Sequence, residues 1–498
     1  MEENIKNRKM NNVLKIIFAI SCIMFAIPSI TYYIQNKTVF RFEQWFKFLL
    51  NDASRIEQTY IYILILLAMS ITYFLIIKNR EKIFKNTRRM FLYIAIISLI
   101  FVAVIPFTCS DVFYYLGIGR INSEYNQNPY YTTIKQFVES DNNSKYLEQD
   151  TVLAQGYIND WSDSTVVYGP IWTLICRIVA SISFGNIDIG LLLFKLVNLL
   201  VHILNCYLIY KISNKKIFTL LYGLNPFILI EGIACVHNDM FIILFALASF
   251  YFILKKKNIV LSLLFLALAT AIKYFTILLL PFIIIYYARK EKPLKRFIRC
   301  IQYGSIFIIM LLAPYLLYIQ DFNVFAGLFI QQEKIAKNFY VIITEYFKEP
   351  LISVTNVNRV LLEIFTIIYF FTCLTILNKR KITWKKEIQK ANYFIIAFLF
   401  LLITNFQPWY IMWLFLCLAW QKAEDIRLII QISLISEFSN SVFLIYSEGW
   451  KNGVPFTFFM ITGILFAVLY NSKIKKQKFI DKQIQKIDKN YRRKEYKQ

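Results

Sequence analysis

One carboxylate, Asp111, stands where an apolar stretch, Met90 to Phe107, gives way to the longest polar run of the chain. An acid at such a boundary is either solvated or used. The bland reading is an aspartate capping the helix that opens the polar run. The chemical reading is a general base that takes a proton from a hydroxyl nucleophile. Three further places carry groups of the right kind. Tyr222-Gly-Leu-Asn-Pro226 interrupts a helical pattern, and Glu231 and the turn His237-Asn238-Asp239 follow it. Lys273, in Ala269-Thr-Ala-Ile-Lys-Tyr-Phe-Thr276, puts a cation between two short apolar segments, at a depth that suits a lipid phosphate or simple snorkelling to water. Asn405-Phe-Gln-Pro-Trp-Tyr410 offers amides and aromatic faces, which suit a sugar ring or an interfacial belt equally. With His202 and His237 the only histidines, a His/Cys/Asp metal cluster has little support, and Asp111 with Asp239 makes a weak metal-and-phosphate alternative. Lys195, Asn198, His202 and Asn205, spaced by three and four, share one helix face; a role in holding helices together is favoured over a cavity lining.

The elements that position these groups are membrane helices. Of 498 residues 58% are hydrophobic, and the mean hydropathy is +0.50, far too apolar for a soluble fold. The formal charge of +25 suggests nucleic acid at first sight, but the basic residues cluster in short loops between apolar segments. The runs 78–89, 211–216, 255–257, 289–299, 379–390 and the tail from Lys473 follow the positive-inside pattern, so no nucleic-acid partner is expected. The eight cysteines are scattered through apolar segments with no disulfide or zinc spacing. The reading is an all-α polytopic membrane protein of about fourteen spans, near 13–34, 59–77, 91–107, 188–210, 217–236, 239–254, 259–271, 274–288, 301–319, 357–377, 391–405, 409–420, 428–445 and 456–470. Val166 to Phe184 decides the parity: only if it lies at the surface, anchored by Tyr168, Trp172 and Arg177, do all the basic loops face the cytoplasm. Both termini and the 471–498 tail are then cytoplasmic, and the 108–187 connection, holding an interfacial helix, is extracytoplasmic. Its 108–165 part carries eight acids against three bases. Glycine is scarce, at 13, and no HExxH, GxSxG or CxxC motif appears.

Taken in order, Ser110-Asp111, Gly119-Arg120-x(7)-Asn128-Pro-Tyr130, Tyr168-Gly-Pro-x-Trp172, Asn225-Pro226 with Glu231 and His237-Asn238-Asp239, the Lys273 turn and Gln407-Pro-Trp-Tyr410 resemble the GT-C glycosyltransferases. The nearest likeness is to bacterial polyprenol-phosphate-mannose-dependent α-mannosyltransferases, over about 91–290 and again near 404–413. The resemblance implies a single membrane-embedded enzyme working at the outer face of the cytoplasmic membrane. It would move a hexose such as mannose, with inversion, from a polyprenyl-phosphate donor to an envelope glycan or glycolipid, without cofactor or metal. It maps the catalytic aspartate onto Asp111 and a surface helix onto 168–184. Arg120, Glu124, Tyr168, His237, Asn238, Asp239, Lys273, Gln407, Trp409 and Tyr410 are the expected substrate-binding residues, with Glu124 and Asp163 as candidates for a second acid. The lysine turn departs from the family pattern in lacking a following proline. A transporter or flippase is the rival class, resting on Lys195, His202 and Glu363. A ligase or polymerase using a pyrophosphate-linked glycan is another, resting on Lys334, Lys337 and Lys348.

Overall fold

Apolar side chains in unbroken helical runs leave the chain few ways to satisfy its backbone except helix after helix. The computed structural model describes residues 2–35, 55–140, 143–327, 354–403, 406–445, 460 and 462–472, and no strand occurs among them. Among the described residues, five helices are long and apolar enough to cross a membrane: Met10–Ile30, Thr59–Lys78, Ile187–Ser213, Pro293–Leu317 and Val357–Leu377. The last turns Leu362, Ile364, Ile367, Phe370 and Phe371 outward, a surface that only hydrocarbon solvates well. The protein is therefore an all-α membrane protein. The expected tail, the 320–356 loop beyond residue 327 with Lys334, Lys337 and Lys348, and Asn405 lie outside the described residues.

Several of the expected crossings are not single straight helices. The 91–107 stretch is α-helical only to Ile100, continues as one 3-10 turn to Ala103, and then runs extended. The 217–236 stretch splits at Asn225-Pro226 into Lys216–Gly223 and a π-helical turn, Ile228–Ala234, bent by 60°. Proline removes a donor and clashes with the preceding turn, so the break is local in origin. Such breaks free carbonyls that need partners in a dry interior, and the Ile187–Ser213 helix supplies them. Lys195 donates to Val104 O and to Val102 O (3.3 Å), and Asn198 to Gly232 O (2.6 Å). His202 pairs with Gly223 O (3.2 Å), and Asn205 donates to Met240 O (3.0 Å). The polar stripe is thus structural, as its spacing suggested.

The 108–187 connection folds into short helices, chiefly Asp111–Ser123, Ile134–Glu139, Thr151–Tyr157 and Pro170–Ile182. At thirteen residues Pro170–Ile182 is about 20 Å long, too short to span the hydrocarbon core. It crosses Asp111–Ser123 so closely that a Cβ on Gly119 would lie 2.2 Å from Cys176 O. Ile178, Ile182 and Phe184 point away from the protein. Trp172 does not: it is fully buried against Tyr115, Phe194 and Phe241, so it is a packing residue rather than the expected surface anchor. The Asn-Pro-Tyr-Tyr motif pins the connection to the end of the Pro293–Leu317 region. Asn128 donates to Tyr318 O (2.6 Å), and Tyr131 Oη receives Gln320 N–H (2.9 Å).

Candidate active site

Asp111 is the first residue of its helix, and Ser110 occupies the cap without a side-chain cap bond. Its carboxylate is half-buried and sits at the positive end of that helix. Oδ2 accepts from Tyr115 Oη (3.3 Å), one helical turn on, and Tyr115 Oη meets Tyr168 Oη at 3.2 Å. Burial pushes the Asp111 carboxyl above its usual range; the charges of His237 and Lys273 and the Tyr115 hydrogen bond oppose that rise, and Asp239 adds to it. Partial dehydration makes such a carboxylate a stronger proton acceptor, and the neighbouring Lys273 limits that rise.

Tyr168 and Lys273 come from distant parts of the chain, and Gly169 explains how they meet. Gly169 N donates to Ile272 O (3.1 Å) and Ile171 N to Ala271 O (3.2 Å). A Cβ on Gly169 would stand 2.2 Å from Ala271 O, so only glycine lets the two backbones touch. Lys273 Nζ then reaches both oxygens of the buried Asp239, at 2.8 and 3.0 Å. It lies 4.4 Å from the Tyr410 ring centre and 5.7 Å from that of Trp413. Trp413 Nε1 donates to the same Asp239 at 2.6 Å. Trp409 stacks on His237, with ring centres 4.1 Å apart. Gln407 is buried at the start of this same Pro408–Trp420 segment. Asn238 is fully buried, and neither its Oδ1 nor its Nδ2 has a partner among the described residues.

The structure thus gathers Asp111, Tyr168, His237, Asp239, Lys273 and Tyr410. It does not bring Arg120 or Glu124 to them. Arg120 is nine residues along the helix and binds Asp150 at 2.5 Å, with Glu124 behind it at 3.4 Å. Asp150 also takes Tyr125 Oη (2.9 Å) and caps Thr151–Tyr157 through Leu153 N (2.9 Å). Arg120 thus pairs within the connection, and Glu124, largely exposed, is its outer partner. Asp163, the other candidate second acid, is exposed and accepts from its neighbour Ser164.

Cys109, Asp111 and His237 have ligating atoms within 4.8 Å of one another, a set that could hold a cation and that two scattered histidines did not suggest. Other contacts account for it: His237 Nε2 faces Glu231 Oε2 at 3.0 Å and Cys109 Sγ at 3.5 Å. Burial, and then Asp111, hold the Cys109 thiol well above its usual range. Tyr115, Cys109 and Trp413 were not singled out from sequence. Tyr115 lies four residues from Asp111, the helical spacing that could have revealed it, whereas Trp413 is hidden in an apolar run.

No curated protein and no solved structure matches the chain. Residues 17–289 match the family described as alpha-(1->6)-mannopyranosyltransferase, N-terminal domain, a stretch that takes in the Asp111, His237–Asp239 and Lys273 positions. That match covers more than half of the sequence, so a chain of apolar helices gathered around a half-buried aspartate belongs to the alpha-(1->6)-mannopyranosyltransferase family and is an integral-membrane glycosyltransferase.

Proposed function

We propose that the protein transfers a mannosyl group from a polyprenyl-phosphate donor to an envelope glycan or glycolipid, with inversion, at the outer face of the cytoplasmic membrane. The observation that carries this reading is the half-buried Asp111 carboxylate facing His237 and the Lys273–Asp239 pair. The acceptor hydroxyl attacks the anomeric carbon while Asp111 takes its proton. The new carbon–oxygen bond forms as the bond to the phosphate oxygen breaks, and the electron pair leaves with the lipid phosphate. A phosphate monoester is a competent leaving group, so no acid is required on that side. Lys273 meets the growing phosphate charge. An ammonium has three donors and Asp239 can take two, which leaves one for the phosphate. When Lys273 turns towards the phosphate, Asp239 retains the Trp413 N–H. The unpaired Asn238 amide, one donor and one acceptor, suits adjacent sugar hydroxyls.

The test is Asp111→Asn, purified in detergent and supplied with synthetic polyprenyl-phosphate mannose and an alkyl α-(1→6)-mannobioside. Asparagine keeps the shape and removes the base. Loss of transfer by roughly 10²-fold or more, with unchanged thermal unfolding, is expected. Wild-type turnover in that variant would end the assignment.

A further inference from the structure

The site description gives the buried acid Glu231 no role. Glu231 is fully buried in the π-helical turn Ile228–Ala234. Three donors from three separate segments converge on it: Thr108 Oγ1 at 2.8 Å, His237 Nε2 at 3.0 Å and Asn440 Nδ2 at 3.0 Å. Thr108 and Asn440 alone could satisfy a buried carboxylate. The histidine ring is the third partner, and its ligating atom lies within 4.8 Å of those of Asp111 and Cys109. We propose that Glu231 is a positioning residue of the transfer reaction: it fixes His237 and stabilises positive charge on the ring, so that His237 holds the neighbouring Asp111 in its proton-accepting form. This inference rests on the reading of Asp111 as the base.

The local backbone supports it. Val236, directly before His237, has φ +63°, a left-handed conformation that a β-branched residue adopts only under strain. The chain there doubles back, and His237 N donates to Glu231 O at 3.3 Å, so that backbone and side chain of His237 both return to the same glutamate. Trp409 stacks on the ring within 15° of parallel and closes its open face. Space is tight around the turn: a Cβ on Gly232 would lie 2.3 Å from Met240 Sδ. A strained residue, a π turn and a stacking tryptophan all fix the orientation of one imidazole.

The charge arrangement gives the reason. Asp111 faces His237, Lys273, Asp239, Tyr115 and Cys109. Within that set Lys273 pairs with Asp239, and His237 with Glu231. A lysine keeps its charge unaided at neutral pH, whereas an imidazole depends on its surroundings. Glu231 in turn has Glu437, Tyr62 and Cys235 as titratable neighbours. Nδ1 of His237 is buried and without a partner, so Glu231 supplies the ring's only charged hydrogen bond among the described residues.

The experiment compares kcat/KM against pH for the full chain, Glu231→Gln, His237→Gln and the double variant, with synthetic polyprenyl-phosphate mannose and an alkyl α-(1→6)-mannobioside. Removing the histidine charge weakens the support for ionised Asp111, so the acidic limb should move to higher pH. A shift of about one pH unit corresponds to a roughly tenfold loss below the limb. Because Glu231 acts through His237, the double variant should be no slower than His237→Gln alone. An unmoved limb in Glu231→Gln, or losses that multiply in the double variant, overturns the proposal. Should Glu231→Gln fail to fold, Glu231→Asp, which keeps the charge but withdraws it, must show a smaller shift in the same direction; no shift there overturns the proposal as well. An active Asp111→Asn would refute the reading of the base, whereas an inactive Asp111→Asn beside an unshifted Glu231→Gln refutes only the role of Glu231.

Discussion

Gly169→Ala tests whether backbone contact, rather than any reacting group, sets the geometry of the site. The added Cβ would stand 2.2 Å from Ala271 O and 2.5 Å from Ala271 C, both backbone atoms that cannot swing aside. To reach a tolerable contact the two segments must part by roughly 1 Å, at a cost of about 1–3 kcal/mol for overpacking. The bond from Gly169 N to Ile272 O, 3.1 Å in length, breaks or stretches with them. Tyr168 precedes the glycine and Lys273 follows Ile272, so the separation falls between the Tyr115–Tyr168 hydroxyl pair beside Asp111 and the Lys273 ammonium. A misplacement of that size costs on the order of 10²-fold in rate when it alters reacting geometry. The assay is kcat/KM for mannosyl transfer from polyprenyl-phosphate mannose, read beside thermal unfolding in the same detergent. A variant that unfolds a few degrees earlier but transfers at close to the wild-type rate would refute the claim that this contact sets the distance.

Two predictions follow from the ion pairs. Lys273→Gln leaves the buried Asp239 charge with only the Trp413 N–H, so it should lose stability as well as transfer; adding Asp239→Asn should restore thermal stability and leave transfer at least roughly 10²-fold down. Recovery of activity in that double variant would show that Lys273 serves only Asp239. Arg120→Gln should cost about 3–5 kcal/mol in stability, because it strands the nearly buried Asp150, while kcat per folded molecule stays near wild type; a selective rise in the KM for the lipid donor would instead restore Arg120 to the phosphate site.

Much of the candidate site was legible because its polar groups sit where apolar runs end. Asp111, His237-Asn238-Asp239, Lys273 and Trp409-Tyr410 each interrupt a hydrophobic pattern, and hydropathy marks such points directly. The short surface reading of 166–184 followed from charge parity, and the thirteen-residue length of Pro170–Ile182 agrees with it. What the sequence pattern did not reveal needed distances between remote residues. Arg120 had the right charge on the right loop, but its partner Asp150 lies thirty residues away on a helix cap. Trp172 looked like an anchor because tryptophan favours interfaces, yet the Gly119 crossing places it inside. The π turn at 228–234 and the 3-10 course of 408–420 leave the hydrophobic count unchanged, so no pattern of apolar residues reports them.

The convergence of partners on Glu231 bears on how the protein is made. A membrane chain is threaded segment by segment, and the bent 216–234 pair emerges carrying an acid and the loose carbonyls of a broken helix. The Ile187–Ser213 helix, with Asn198 and His202, is already present to receive those carbonyls. Asn440, however, is synthesised 209 residues after Glu231. Early in assembly the glutamate therefore depends on Thr108 and His237 alone. On that order of synthesis, the last helices to arrive complete the polar centre around Glu231 rather than merely enclosing it.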